Sequence, residues 1–320
     1  MPSDLAALPR LAATSDPVPA SPALRRARRV RAVGAALTGW GLSLPAGLLM
    51  LAIILIPTLS AAVLAVTDYQ LGARSVRFVA GQNFAELWND RVFWRAFTNT
   101  LVYTLMTVPT SVALGLGAAL LIESDPLGRT TFRTIYFLPV TALLVAMATV
   151  WEFILHPQLG LVNQLLRPLG IIGPDWLSHP DWVLTSLAFI FVWQQTGYNM
   201  ILFLAGLKAV PSELYQAARV DGADRAIDRF VMVTWPGLAA TTLFVVLITT
   251  LYSFRVFDTV AALTQGGPAN ASNVLLYNIY REGFVYLRTG YASAMVLVFL
   301  AMILVVVLLQ MRASRARGRA

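Results

Sequence analysis

An all-α, polytopic membrane fold with six spans is what the sequence predicts, and three observations carry the prediction. Hydrophobic residues make up 58% of the 320 and charged residues only 12%, about half the charge of a soluble domain. Mean hydropathy is +0.68. Six separate stretches stay apolar over the ~20 residues that a bilayer crossing requires. Too little polar surface is left to cover a water-soluble globule, and a chain this apolar is not intrinsically disordered.

The spans fall near Leu42–Val66, Phe97–Ile122, Ile135–Leu155, Val183–Leu207, Trp235–Phe254 and Tyr291–Met311. Pro45, Pro57, Pro109 and Pro139 lie within or near them, as membrane helices tolerate. Ahead of the spans, residues 1–41 read as a Pro- and Ala-rich disordered tail to Ala23, then a basic run, Leu24–Arg31. The first span outruns the apolar region of a cleaved signal and no small-x-small site follows it, so it reads as a retained anchor. The six-span domain covers residues 42–311, and 312–320 form a basic tail.

Orientation follows from the basic residues, 23 of which are arginine. With a cytoplasmic N-terminus, 16 of the 24 fall inside, in the N-terminal tail, at Arg129 and Arg133, at Lys208, Arg219, Arg225 and Arg229, and in the C-terminal tail. Eight fall outside: Arg74, Arg77, Arg91, Arg95, Arg167, Arg255, Arg281 and Arg288. This inside excess places both termini in the cytoplasm. It also accounts for the pI near 10.2 through topology and lipid headgroups, without nucleic acid.

Several chemistries are excluded. There is no cysteine, hence no disulfide or thiolate site. The single lysine, Lys208, sits between Leu207 and Ala209, so no phosphate-binding Gly-Lys-Ser/Thr loop exists. Gly115-Leu116-Gly117 lies inside a span and reads as close helix packing rather than a dinucleotide fingerprint. His156 and His179 each precede a proline in a predicted outside loop and belong to no metal-ligand pattern. No Gly-x-Ser-x-Gly elbow occurs.

The polar loop at 208–236 is the most informative segment. Ser212 is a plausible N-cap with Glu213 in the first turn. Leu214, Ala217, Ala218 and Asp221 follow at helical spacing, and Ala217 and Ala218 keep that face slim enough for another surface to approach. Gly222 is suited to end the helix in a left-handed conformation. A second amphipathic segment, roughly Arg225–Val233, leads to Pro236.

Gln216-Ala217-Ala218-Arg219-Val220-Asp221-Gly222-Ala223, ending at Trp235-Pro236, resembles the EAA loop of the permease subunits of type I ABC importers, and Pro211-Ser212-Glu213-Leu214-Tyr215 is similar to the sugar-type subset. The likeness extends over roughly residues 45–310. It includes Asn99-Thr100, Phe137-Leu138-Pro139, Trp151, Phe257-Asp258, Leu263-Thr264, Gly266-Gly267-Pro268, Ile279-Tyr280, Phe284 and Gly290-Tyr291-Ala292-Ser293-Ala294. Two departures stand out. Gln216 replaces the family's usual Glu, and the stretch from Gly222 to Pro236 is about one residue longer than the pattern.

The resemblance implies the type I ABC permease fold. It implies that Glu213, Gln216, Ala217, Ala218, Asp221, Gly222, Ala223 and Pro236 belong to a coupling helix docked on a cytoplasmic ATPase dimer, and that this chain catalyses nothing itself. ATP and Mg would be held by that partner, with no cofactor bound here directly. It further implies a second permease subunit from a different gene and an extracytoplasmic substrate-binding protein. The solute would be a carbohydrate or a related polyol or glycerol-phosphate compound, and Arg281-Glu282-Gly283-Phe284 and Gly197-Tyr198-Asn199 lean towards the latter.

Within the spans, Gln194, Gln195, Tyr198 and Asn199 share one arc of about 140° at 100° per residue. Amides and a phenol on one face suit either a neutral polyol in a substrate path or hydrogen bonds to a neighbouring helix. Asn99 reads as a helix cap or contact, Glu152 as interfacial, and Trp182, Trp193 and Tyr291 as an interface belt. The rival reading is an ion-coupled secondary transporter. It would require inverted halves and membrane-embedded charges, and neither is evident in the sequence.

Overall fold

The computed structural model describes residue 34 and residues 38–124 and 128–317. The basic run at 24–31 and Arg319 thus lie outside the described residues. Among the described residues the chain is helical, with no strand and one isolated bridge between Thr67 and Phe78. Five helices are long and apolar enough to cross a bilayer: Thr38–Leu64, Arg91–Ser124, Val183–Ala209, Ala239–Leu263 and Thr289–Ser314. A sixth crossing is available as a bent pair, Arg129–Thr141 and Val145–Ile154.

The chain divides into two compact units, one ending at Ser60 and the other beginning at Ala61. The first contains most of the first span. Its helix carries one wide π-turn at Leu51–Leu55, and Thr58 Oγ1 donates to the Ile54 carbonyl at 2.7 Å, a common way for a membrane helix to satisfy a hydroxyl.

In the second unit the second, fourth and fifth spans pack most intimately. Lipid tails are as apolar as leucine, so small residues and hydrogen bonds, rather than water exclusion, hold such helices together. A methyl group at Gly115 would lie 2.6 Å from Asn199 Cβ, which explains the glycine in the second span. Gly117 meets nothing within 4 Å. Beside this contact Ala118, Ala119 and Ile122 pack with Met200, Phe203, Leu204, Leu238 and Val245. Thr107 and Ser253 share a hydroxyl hydrogen bond at 2.9 Å, and Ser253 also donates to Thr104 at 3.0 Å.

The third span is broken where the sequence predicted one continuous helix over Ile135–Leu155. Its halves bend by 106° at Ala142 and Leu143, both extended, with ψ of 134° and 118°. Pro139, in the last turn before the break, supplies no N–H and weakens the ladder there. The fourth span repairs the damage. Gln194 Nε2 donates to the Pro139 and Ala142 carbonyls at 3.3 and 3.2 Å. Close approach is possible because residue 197 is glycine; a methyl there would lie 1.9 Å from the Tyr136 carbonyl oxygen.

The fifth span is also displaced from its sequence boundaries. Trp235 and Pro236 precede it in a separate turn, and the crossing runs from Ala239 to Leu263. Arg255, counted from sequence with the outside arginines, falls at a break in that stretch, and Asp258 opens its last helical piece. The sequence boundary stopped at the first charge, whereas the helix resumes beyond it over Asp258–Leu263.

Asn99 is a structural residue, as expected: its Nδ2 donates to the Asn270 and Asn273 carbonyls, both at 2.9 Å. Tyr291 departs from the interface-belt reading. It is 3% exposed and donates its hydroxyl to Asp90 at 2.7 Å. Trp182, by contrast, is exposed.

Replacing Gly197 by Ala forces the fourth span off the Tyr136 carbonyl. We expect overpacking of about 1–3 kcal/mol and a lower Tm in detergent. Gly117→Ala, with open space around it, should instead leave the Tm unchanged or slightly raised. Equal effects of the two substitutions would contradict the packing account.

Candidate functional site

The loop helix after the fourth span runs over Ser212–Val220. Pro211, not Ser212, is its N-cap, with φ −60° and ψ 135°, and no side chain caps this end. Ser212 is the first helical residue, because Pro211 fixes an extended approach and its carbonyl accepts from the Leu214 N–H at 3.2 Å. Glu213 remains in the first turn, where its charge is favoured by the helix dipole.

The C-terminus is closed as the sequence predicts. Gly222 has φ +90°, a conformation strained for any residue with a Cβ. Its N–H donates to the Arg219 carbonyl at 3.2 Å, and the Ala223 N–H donates to the Ala218 carbonyl at 2.9 Å. These two bonds make a Schellman cap. Ala218 and Ala223 also pack together with Val233, Val210 and Tyr215. Ala218 thus faces its own chain and not an external surface. The Tyr215 hydroxyl lies 3.1 Å from Thr234 Oγ1, which pins the helix to the base of the fifth span.

What the helix presents outward is Glu213, Leu214, Gln216, Ala217, Val220, Asp221 and Gly222, all exposed. Pro236 is exposed as well. Val220 is 89% exposed and Ile227 61%; sequence reasoning passed over both, though an apolar residue in a polar loop was the available signal. The second segment is a short helix, Ala226–Arg229, followed by a π-turn at Phe230–Thr234. A π-turn holds one more residue than an α-turn.

The polar face of the fourth span is divided. Asn199 is fully buried, where its Oδ1 accepts from Thr249 at 2.9 Å and from Gln195 at 3.2 Å. It joins helices and does not line a cavity. Gln194, Gln195 and Tyr198 do line one, of about 380 Å³, together with Val140, Phe191, Tyr252, Arg255, Val256, Phe257, Asp258 and Thr259. The Tyr198 and Tyr252 rings meet edge to face, with centroids 5.9 Å apart. The sequence signalled the fourth-span wall but not the fifth-span wall, because Arg255 and Asp258 had been assigned outside the span.

A second cavity, of about 500 Å³, is lined by Glu86, Asp90, Arg281, Glu282 and Arg288 among others. Arg288 bonds Glu86 and, at 3.3 Å, Glu282, and its guanidinium lies 4.4 Å over the Tyr291 ring. Burial pushes the Glu282 carboxyl above its ordinary value, while Arg288 pulls it back. Folding therefore favours proton uptake here. The stability contributed is complete below pH 4.5 and is lost as pH rises through the raised value. Glu282→Gln removes this dependence, so its Tm should fall less than that of the wild type between about pH 4 and 7. Parallel pH profiles would refute the assignment.

The chain belongs to the family described as binding-protein-dependent transport system inner membrane component, whose model matches residues 78–318. It is 33% identical over 285 residues to the lactose transport system permease protein LacF of Rhizobium radiobacter, covering 87% of this chain and 94% of that protein. It is 32% identical over 241 residues to the sn-glycerol-3-phosphate transport system permease protein UgpA of Agrobacterium fabrum, covering 74% and 81%. A chain from the crystal structure of a bacterial alginate ABC transporter in complex with an alginate pentasaccharide-bound periplasmic protein superposes with a TM-score of 0.78 at 23% identity, over 89% of this chain and 96% of that one. That likeness gives the fold, the type I permease architecture expected from the sequence.

Gly222→Val should cost roughly 1–2 kcal/mol at the cap. We expect faster protease cleavage near residues 219–225 with undiminished membrane insertion, the first read by limited proteolysis and the second by membrane fractionation. Unchanged cleavage would show that the left-handed cap is not what holds the helix end.

Proposed function

We propose that this chain is a membrane-spanning subunit of an ATP-driven importer, and that it carries a carbohydrate or a related polyol or glycerol-phosphate compound across the cytoplasmic membrane. The observation that bears most weight is the loop helix, capped by its own chain and with an apolar and acidic face left outward. Glu213, Gln216, Ala217, Asp221 and Gly222 form the face that meets a cytoplasmic ATPase dimer. Ala218 and Ala223 serve from behind, fastening the helix to the bundle, and Pro236 sits at the base of the fifth span. The chain itself is not an enzyme. ATP and Mg belong to the ATPase partner. A second permease subunit, the product of a different gene, completes the path, and an extracytoplasmic binding protein delivers the solute. Both termini lie in the cytoplasm and lipid surrounds the spans.

Mechanically, the ATPase dimer closes on ATP and reopens after hydrolysis, and the docked helix follows. ATP shifts the permease between inward- and outward-open states only by favouring one of them. Converting a 1:99 population into 99:1 takes about 5.5 kcal/mol, so the helix must be stiff enough to transmit that difference. The Schellman cap and the Tyr215–Thr234 bond supply stiffness at its two flanks. Solute passes along the cavity walled by Gln194, Gln195 and Tyr198, whose amides and phenol exchange hydrogen bonds with hydroxyls. Asn199 keeps that wall in place.

The reading is tested in proteoliposomes holding this chain, its partner permease and the ATPase, with the binding protein supplied outside. Uptake should require ATP inside, survive a protonophore, and fall at least about tenfold in Gly222→Val, which disturbs the docked helix end. Uptake abolished by the protonophore with ATP still present would instead mark an ion-coupled carrier.

A further inference from the structure

The fifth span carries two charges that its boundaries in sequence concealed. Its first helix stops at Arg255 and the next begins at Asp258, both inside the one stretch, Ala239–Leu263, that is long and apolar enough to cross a bilayer. Both side chains are exposed in this chain taken alone, at the break between the two helical pieces. Neither side chain has an ion-pair partner within 4.0 Å among the described residues. Both line the cavity that holds Gln194, Gln195, Tyr198 and Tyr252, and they are the charged groups of its wall.

A guanidinium offers five donors and no acceptor, and its planar fork matches a carboxylate, phosphate or sulfonate with two parallel bonds. A carboxylate is the reverse, an acceptor suited to hydroxyl donors. We propose that Arg255 is the specificity-determining residue of this cavity, taking the acidic group of a polyhydroxylated anion while Asp258, Gln194 and Gln195 take its hydroxyls. The solute class is thus a sugar acid or a phosphorylated or sulfonated polyol, not a neutral sugar. Val140, Phe191 and Phe257 complete the wall with apolar surface. The inference rests on the reading of this cavity as the solute's passage.

The experiment uses the full reconstituted complex. Calorimetry first ranks sn-glycerol 3-phosphate, glucuronate, glycerol and lactose on the binding protein. Uptake of the ranked ligand is then compared in wild type, Arg255→Gln and Arg255→Lys, with ATPase stimulation by the loaded binding protein as the control for assembly. We expect an acidic ligand, a loss of about tenfold or more in Arg255→Gln with ATPase stimulation retained, and partial rescue by Arg255→Lys, which keeps the charge but not the planar fork. A neutral ligand, a smaller loss in Arg255→Gln, or failure of Arg255→Lys to rescue would each overturn the assignment. None of these touches the importer reading, which stands or falls on whether wild-type uptake needs ATP.

Discussion

Inside a bilayer a backbone carbonyl freed from its helix has no water to accept from, and the arrangement of the second unit follows from that constraint. The third span breaks at Ala142, whose N–H still bonds the Pro139 carbonyl, and a side chain from the fourth span meets both the Pro139 and the Ala142 carbonyls. Gln194 can reach because Gly197 lets the helices touch. Asn199, about one turn further along, accepts from Thr249 of the fifth span and packs its Cβ against Gly115 of the second. The fourth span is thereby a polar ruler against which three neighbours are set. Its 0.6 kcal/mol-scale interhelical bonds are individually small, and they act where the hydrophobic effect offers nothing.

The same constraint explains what the sequence could and could not disclose. Apolar runs of sufficient length are unambiguous, so the existence and order of the spans were legible. The loop helix was legible as well, down to the positive φ at Gly222, because glycine after a helical repeat has a local physical meaning. Its other end was misassigned: Ser212 looked like a cap, but Pro211 dictates the backbone there. The break in the third span was hidden because proline is common in membrane helices, and nothing local distinguishes a tolerated proline from a disruptive one. That distinction lies in Gln194, more than fifty residues away in the chain. The fifth-span wall of the cavity was missed for the opposite reason. A charge was taken as the end of a crossing, when the helix only pauses there.

Of the four polar residues on the fourth span, periodicity placed all on one arc, and that much holds. It could not divide them. Gln194 serves both a broken neighbour and the cavity, Gln195 and Tyr198 the cavity, and Asn199 the packing alone. The division depends on which helix lies across from each residue, which is tertiary information. The alanines of the loop behave alike. Ala217 and Ala218 are equivalent in sequence, yet one is outward and the other is buried against Val233.

The wide turn at Phe230–Thr234 has a bearing on how such chains diverge. An inserted residue in an α-helix would rotate everything beyond it by about 100° and swing the exposed face of the loop helix round with it. Where the ladder is widened locally, as at this turn, one residue more is taken up within the turn and the helices on either side keep their phase. A connector of that kind is a length buffer, in which a residue can be gained or lost without re-aiming what lies beyond it.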